Sequence, residues 1–342
     1  MTKTLFGTTP SGEKVHAYEL VNKNGMSVKV IEYGASLVSI KVPNGSGGKE
    51  ELNLGFDTLE EYLNDNASFG RTVGRYANRI VNATFELDGV TIKLDPNRPP
   101  NHLHGGTHGF GRVVWTSELT SNNTVTFKYF SRDGDQGYPG NLHISASYTL
   151  GDDNGLTLIY DATTDKTTPI SITNHAYFNL AGAGSGNVYG HEAQILSNKT
   201  VVVDKDLLPN GEFQDVKGTI FDLTKPTNLG EIFKSHPDFF GFDVSYVVSD
   251  VVNNPLKLVA KVTEPKSGRA LEVYTTQPDI HLYTGNFMQK WQLAGGKTTD
   301  KHGAFCLETQ NFPDGPNHKN FPNPFLKPGE VYHHETIYKF IF

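Results

Sequence analysis

The sequence predicts an all-β fold, a large antiparallel β-sandwich with few short helices, on three observations. Turn dipeptides recur along the chain, at Asn24-Gly25, Asp88-Gly89, Asp133-Gly134, Asn154-Gly155, Asn210-Gly211 and Ser267-Gly268. Runs that are β-branched or alternate apolar with polar lie between many of them, which is the spacing of strands joined by tight turns. With 35 Gly, 18 Pro, 15 Tyr and 21 Phe among 342 residues, the composition favours short strands and turns over long helices.

In chain order, residues 26–31 and 35–42 are β-branched runs separated by Glu32-Tyr33-Gly34. Residues 58–63 (TLEEYL) carry a short helix, with Thr58 as its N-cap and Glu61 three residues on. Residues 85–87 and 90–94 alternate strictly on either side of Asp88-Gly89, which makes a hairpin with a two-residue loop, most simply type I′. Strands follow at 125–130, 142–150, 156–162 and 270–275, with a helical turn at 229–234. The Pro-rich stretch 313–328 reads as an irregular wrap around a sheet edge before a final strand at 335–342. No repeat of the propeller kind and no Gly/Ser or charged linker divides the chain, so 1–342 reads as a single domain.

Charge excludes some functions. Lys and Arg total 30 against 37 Asp and Glu, a net charge of −7, so no broad cationic surface faces nucleic acid or an anionic membrane. Cys306 is the lone cysteine, which rules out an intramolecular disulfide and a cysteine-ligated metal cluster and suits a reducing compartment. With neither a leader-like segment nor a membrane-length apolar run, the expectation is a soluble, cytoplasmic protein. The absence of a G-x-S-x-G elbow, a Walker A loop or a G-x-G-x-x-G opening a helix moves serine hydrolysis, phosphoryl transfer and hydride transfer down the order.

Four segments place polar residues where a sandwich pattern wants apolar ones: 74–79, 101–106, 173–180 and 305–311. His102 and His104, two apart, would share a face on a strand, a spacing that can bind metal; the carboxylate a cupin-like site needs does not follow, and a turn with an exposed His102 and a hydrogen-bonded His104 explains them equally. His175 precedes the apolar run Ala176-Tyr177-Phe178 and reads first as a satisfied core histidine. Glu308, sharing a strand face with Cys306 and Gln310, points a carboxylate into semi-buried space, either as the partner of Arg79 or Arg75 or as a catalytic group. Cys306, between Phe305 and Leu307, is packing rather than a nucleophile. Two histidines, a carboxylate, Asn78, Arg79 and Asp243, together with aromatic residues, are what a carbohydrate requires: polar planar groups for its hydroxyls and an aromatic wall for its C–H face.

At these residues the chain closely resembles the galactose mutarotase (aldose 1-epimerase) family. The matching motifs are 74–80 (GRYANRI), 100–106 (PNHLHGG), 133–140 (DGDQGYPG), 173–180 (TNHAYFNL), 241–243 (GFD), 275–287 (TTQPDIHLYTGNF) and 306–311 (CLETQN), spread over nearly the whole chain. The resemblance implies a β-supersandwich and a cofactor-independent, metal-free enzyme that interconverts the α and β anomers of galactose, glucose and related aldohexoses, as a monomer or weak homodimer. It implies Glu308 as general base, His175 as general acid and His104 as a second catalytic histidine beside the ring oxygen, with Asn78, Arg79, Asp243 and Gln277 holding sugar hydroxyls. Val244 stands where the family commonly has histidine and Gly111 where it has an acidic or amide side chain, both changes expected at the pocket rim. Mutual attraction should lower the pKa of Glu308 and raise that of His175. A phosphosugar epimerase is the alternative, but the sequence shows no convergent cations beyond Arg75 and Arg79. A sugar-binding protein without turnover is the other.

Overall fold

The computed structural model describes residues 1–249 and 254–342. Its backbone is dominated by three antiparallel sheets. The largest has nine strands, in the spatial order Thr116–Ser121, Thr124–Ser131, Leu142–Leu150, Gly155–Thr164, Tyr332–Ile341, Arg269–Thr275, Lys257–Glu264, Glu192–Ile195 and Thr227–Asn228. An N-terminal sheet runs in chain order through Thr2–Thr8, Lys14–Val21, Ser27–Ile31, Ser36–Pro43 and Lys49–Glu51. The third orders Pro209–Asp215, Lys199–Val203, Asp243–Val247, Asp279–Tyr283 and Cys306–Gln310, and carries Asp243, Glu308 and Gln310.

Local chemistry explains the elements. Asp88 and Gly89 both have positive φ, 51° and 79°, as a type I′ turn demands, and Leu87 pairs with Val90 across them. The helix Leu59–Asn64 begins where expected, with Thr58 and Glu61 forming a reciprocal capping box. The second helix, Leu229–Ser235, is capped by Asn228, whose side chain accepts from the Glu231 amide. The final strand starts three residues before its expected 335, at Tyr332, because the buried–exposed alternation already holds there and Tyr332 pairs with Ala162. The proline-rich stretch does wrap an edge: the Phe321 ring stacks 5.1 Å from Phe213 on the edge strand Pro209–Asp215.

The largest core cluster fills the space between the sheets, drawing on Tyr18, Leu37, Tyr148, Phe178, Leu282 and Tyr338, all fully buried. Val244 belongs to this cluster, so it is not a rim residue. Its neighbours Asp243 and Ser245 face the other way, and that alternation turns one face of the third sheet into the floor of a cavity.

Candidate active site

Three neighbouring strands in register build the floor. Glu308 lies opposite His281, Cys306 opposite Tyr283 and Gln310 opposite Asp279, while Asp243 lies opposite Tyr283 and Ser245 opposite His281. Since side chains alternate, all of these point to one face. Above them is a cavity of about 560 Å³ lined by Asn78, Arg79, His104, His175, Asp243, His281 and Glu308, with Tyr177, Tyr283, Phe287 and Trp291 among its aromatic walls. A groove of similar volume, about 550 Å³, crosses the nine-stranded sheet beside Phe130, Ile144 and Val331, but its ionisable residues Lys128, His143 and Asp161 face solvent and hold no buried acid–base pair.

The strands also place the histidines. His175 follows the short strand Thr173–Asn174 and is fixed by backbone bonds, its N–H to the Arg71 carbonyl (2.9 Å) and its carbonyl from the Gly70 N–H (2.9 Å). Its ring stacks on Tyr177 at 4.9 Å, and its Nε2 lies 3.6 Å from Glu308 Oε1. His104 leaves the strand His102–Leu103 with φ of 52°, and its Nδ1 accepts the Asn78 N–H (3.3 Å), which leaves Nε2 for the cavity. The next residue must be glycine: a Cβ on Gly105 would sit 1.7 Å from the Gly74 carbonyl oxygen. His104, His175 and Glu308 each bring a ligating atom within 4.8 Å of the others.

That left-handed turn corrects the His-x-His expectation, because the two rings do not share a strand face. His102 is fully buried rather than exposed, its Nδ1 against the Asp95 carbonyl and its Nε2 against the Tyr138 hydroxyl, each at 2.7 Å. Glu308 pairs with neither expected arginine. Arg75 is spent on the carbonyls of Pro139 and Gly140 and on Ser131, while Arg79 reaches Asp243 Oδ1 at 3.8 Å and Asn78 Oδ1 at 3.2 Å. Asn78, Arg79 and Asp243 therefore converge on the cavity as expected; Gln277 does not. It sits in the bend before the strand Asp279–Tyr283 and donates instead to the Tyr332 hydroxyl (2.9 Å). His281, which the sequence reading passed over, takes its place at the floor and bonds Asp243 Oδ1 through Nε2 (2.9 Å); the alternation Asp279, His281, Tyr283 was the signal.

Burial governs the electrostatics and reverses the expected shifts. Loss of water raises the Glu308 carboxyl well above its ordinary range, reinforced by the charge of Asp243. Burial likewise lowers His175 to about 4, and lowers His104 well below the usual imidazole value, with the His175 charge adding to it. Attraction between Glu308 and His175 is outweighed because each must shed its hydration to be charged. Burial thus favours a neutral pair sharing one proton. Asp243 alone stays low: burial opposes its charge, but the His281 hydrogen bond and the charges of His281 and Arg79 prevail. Cys306, as expected of packing, has its thiol pushed far up by burial. Beneath His281, Ser245 Oγ bridges His281 Nδ1 and Asp279 Oδ2, both at 2.9 Å, and burial raises the Asp279 carboxyl well above its ordinary range.

The chain is also similar to known proteins along nearly its whole length. The aldose 1-epimerase family model matches residues 16–339. The galactose mutarotase of Rattus norvegicus is 43% identical over 342 residues, covering 99% of this chain and 98% of its own. The aldose 1-epimerase of Escherichia coli K12 is 36% identical, covering 97% of each. Among solved structures, an aldose epimerase homologue from C. elegans superposes with a TM-score of 0.88 at 33% identity, covering 95% of this chain and 98% of its own. A galactose 1-epimerase from Lactobacillus acidophilus does so with a TM-score of 0.84 at 27% identity, covering 99% and 98%.

Proposed function

This chain belongs to the aldose 1-epimerase family and has mutarotase activity, and we propose that Glu308, His175 and His104 carry the proton transfers of that reaction on galactose, glucose and related aldohexoses. Anomer exchange needs the C1 hydroxyl to lose its proton while the ring oxygen gains one. Glu308 takes the proton from O1; His175, with His104 beside the ring oxygen, gives one to O5; the C1–O5 bond breaks, leaving an open aldehyde. Rotation about C1–C2 presents the other face of the carbonyl. The O5 hydroxyl attacks it, returns its proton to the imidazole, and O1 recovers its own from Glu308, so no proton, electron or cofactor is consumed.

The observation that carries this reading is the buried contact of His175 Nε2 with Glu308 Oε1 at 3.6 Å, in a cavity that His104 also lines. Glu308 Oε2 is buried and has no hydrogen-bond partner among the described residues, leaving it open to accept from O1–H. Asn78, Arg79 and Asp243 would orient the hydroxyls, with His281 positioning Asp243. Tyr177 and Trp291 offer apolar faces to the ring C–H groups. The test is polarimetry on freshly dissolved α-galactose with Glu308→Gln, which should lose roughly 10²–10⁴-fold in rate, the usual worth of positioned proton transfer, while sugar still binds. A variant turning over at near the parent rate would remove Glu308 from the role of base.

A further inference from the structure

Beside the sugar cavity lies a smaller recess of about 70 Å³, which shares Ser68, Arg98, Leu103 and His104 with the cavity wall. Its volume is roughly two water molecules' share of liquid, room for a small polar group. The sequence showed no cationic convergence here, yet Arg71, Arg98 and Arg112 all line this recess. Asp65 neutralises only one of them. Its carboxylate lies 3.2 Å from Arg71 Nε and is otherwise occupied by the N–H groups of Ala67 and Phe69 (2.7 and 2.9 Å). Arg112 donates to the Asp65 carbonyl (3.0 Å), and among the described residues neither Arg98 nor Arg112 pairs with a carboxylate. Burial, then the like charge of Arg71, and further down Arg98, hold Arg112 below its ordinary pKa, which a bound anion would relieve.

Gly111 makes room for this cluster. A Cβ there would lie 3.0 Å from Arg71 Cδ, and Arg71 Nη1 donates to the Gly111 carbonyl at 3.0 Å. Position 111 therefore supplies no side chain to screen the arginines. The acidic side chains Asp206 and Asp243 line the sugar cavity and not the recess, so a negative group on the sugar is repelled from one end and drawn to the other.

Pyranose connectivity says which substituent reaches it. With C1 at Glu308 and the ring oxygen at His104, the next ring atom is C5, which bears C6; His104 also walls the recess. We propose that the recess is a subsite for an oxyanion carried on C6, so that the enzyme takes aldoses with a 6-phosphate or a uronate carboxylate alongside neutral hexoses. The proposal rests on the placement of C1 and ring oxygen given above.

The experiment compares galactose, galactose 6-phosphate and galacturonate in parent and Arg112→Gln enzyme, with calorimetric titration of the same sugars into Glu308→Gln as a readout independent of turnover. The anionic sugars should show KM and Kd about tenfold below those of galactose at low salt, the advantage shrinking as salt rises. Arg112→Gln should remove that advantage and leave galactose kinetics, and with them the fold, unchanged, while Arg112→Lys keeps part of it. Tightening for galactose 6-phosphate alone assigns the subsite to phosphate, for galacturonate alone to carboxylate, and for both to oxyanions generally. Anionic sugars binding no tighter than galactose, or a preference indifferent to Arg112→Gln, would overturn the proposal. An active Glu308→Gln enzyme would instead count against the base assignment and the placement of C1 drawn from it, a failure distinct from that of the recess, which is read from whether Arg112→Gln abolishes tighter binding of the anionic sugars.

Discussion

Burial holds the His175 imidazole at about 4, against an ordinary 6.5, and this places the acid limb of the pH–rate profile. The perturbation is pH itself, and kcat/KM is the quantity to follow because it reports groups of the free enzyme. If a second proton entering the Glu308–His175 pair stops turnover with a pKa near 4, about 97% of the plateau survives at pH 5.5; with an ordinary imidazole, about 9% would. Roughly a tenfold difference at one pH therefore separates the two cases. The groups facing His175 support the low value: His281 and Arg71 lower it further, and the carboxylate of Asp243 raises it without overcoming burial. Polarimetry at 0.5-unit steps from about pH 4 to 8, with the spontaneous acid- and base-catalysed rate subtracted, is sufficient. Asp243→Asn should move the limb to lower pH, whatever it does to affinity, because the charge favouring the imidazolium is gone. A profile half lost near pH 6.5 would refute the argument, showing that water, not the walls, solvates the ring.

Four further outcomes follow from the same geometry. His175→Ala should cost about as much rate as loss of the base, roughly 10²–10⁴-fold, and His104→Ala somewhat less, by mutarotation assay; indifference at both would return them to a packing role. Glu308→Gln should melt higher relative to the parent at pH 8 than at pH 5: the folded carboxyl holds its proton above the range where the unfolded one releases it, so parental stability falls as pH rises through that window. Asp279→Asn should leave activity within about twofold, since the amide oxygen can accept from Ser245 Oγ and Gln310 Nε2 as the carboxyl Oδ2 does, whereas Asp279→Leu strands both donors at about 1–3 kcal/mol in denaturant unfolding. Activity should survive exhaustive chelation, and added zinc should inhibit by occupying His104, His175 and Glu308; a chelated enzyme that zinc restores would make the triad a metal centre.

What the sequence revealed was whatever had a local cause. Asp88-Gly89 sets a type I′ hairpin through its own backbone preferences, Thr58 and Glu61 cap a helix reciprocally, and strict alternation in 142–150 returns unchanged as the strand Leu142–Leu150. Glu308 stood out because a carboxylate amid apolar neighbours needs a reason, and it is 2% exposed at the cavity floor. Gln277 and His281 went astray together. In the sequence they are four residues apart in one motif, but the strand begins only at Asp279, and the pairing of His281 with Glu308 is what puts His281 and not Gln277 level with the cavity. The arginine recess was invisible because Arg71, Arg98 and Arg112 have no periodicity between them and meet only when the turn after Gly70 and the loops bearing Arg98 and Arg112 fold together. The pKa directions failed for another reason: spacing can suggest that two charges meet, but whether attraction exceeds desolvation depends on how completely both are covered.

The neutral pair that burial favours and the charged pair required for catalysis contain the same number of protons, so what decides between them is which atoms solvate the site. Among the described residues no donor faces Glu308 Oε2, and charge there is expensive. Under the proposed assignment the O1 hydroxyl supplies that donor, stabilising the carboxylate as it prepares to give up its proton. Asp243, kept anionic by His281 and Arg79, meanwhile favours positive charge on His175. Both effects move the shared proton from Glu308 to the imidazole only when a sugar is present. Depth is then part of the mechanism: a more open site would leave Glu308 and His175 solvated and charged at all times, and would forgo the dry surroundings in which positioned donors act most strongly on the opening ring.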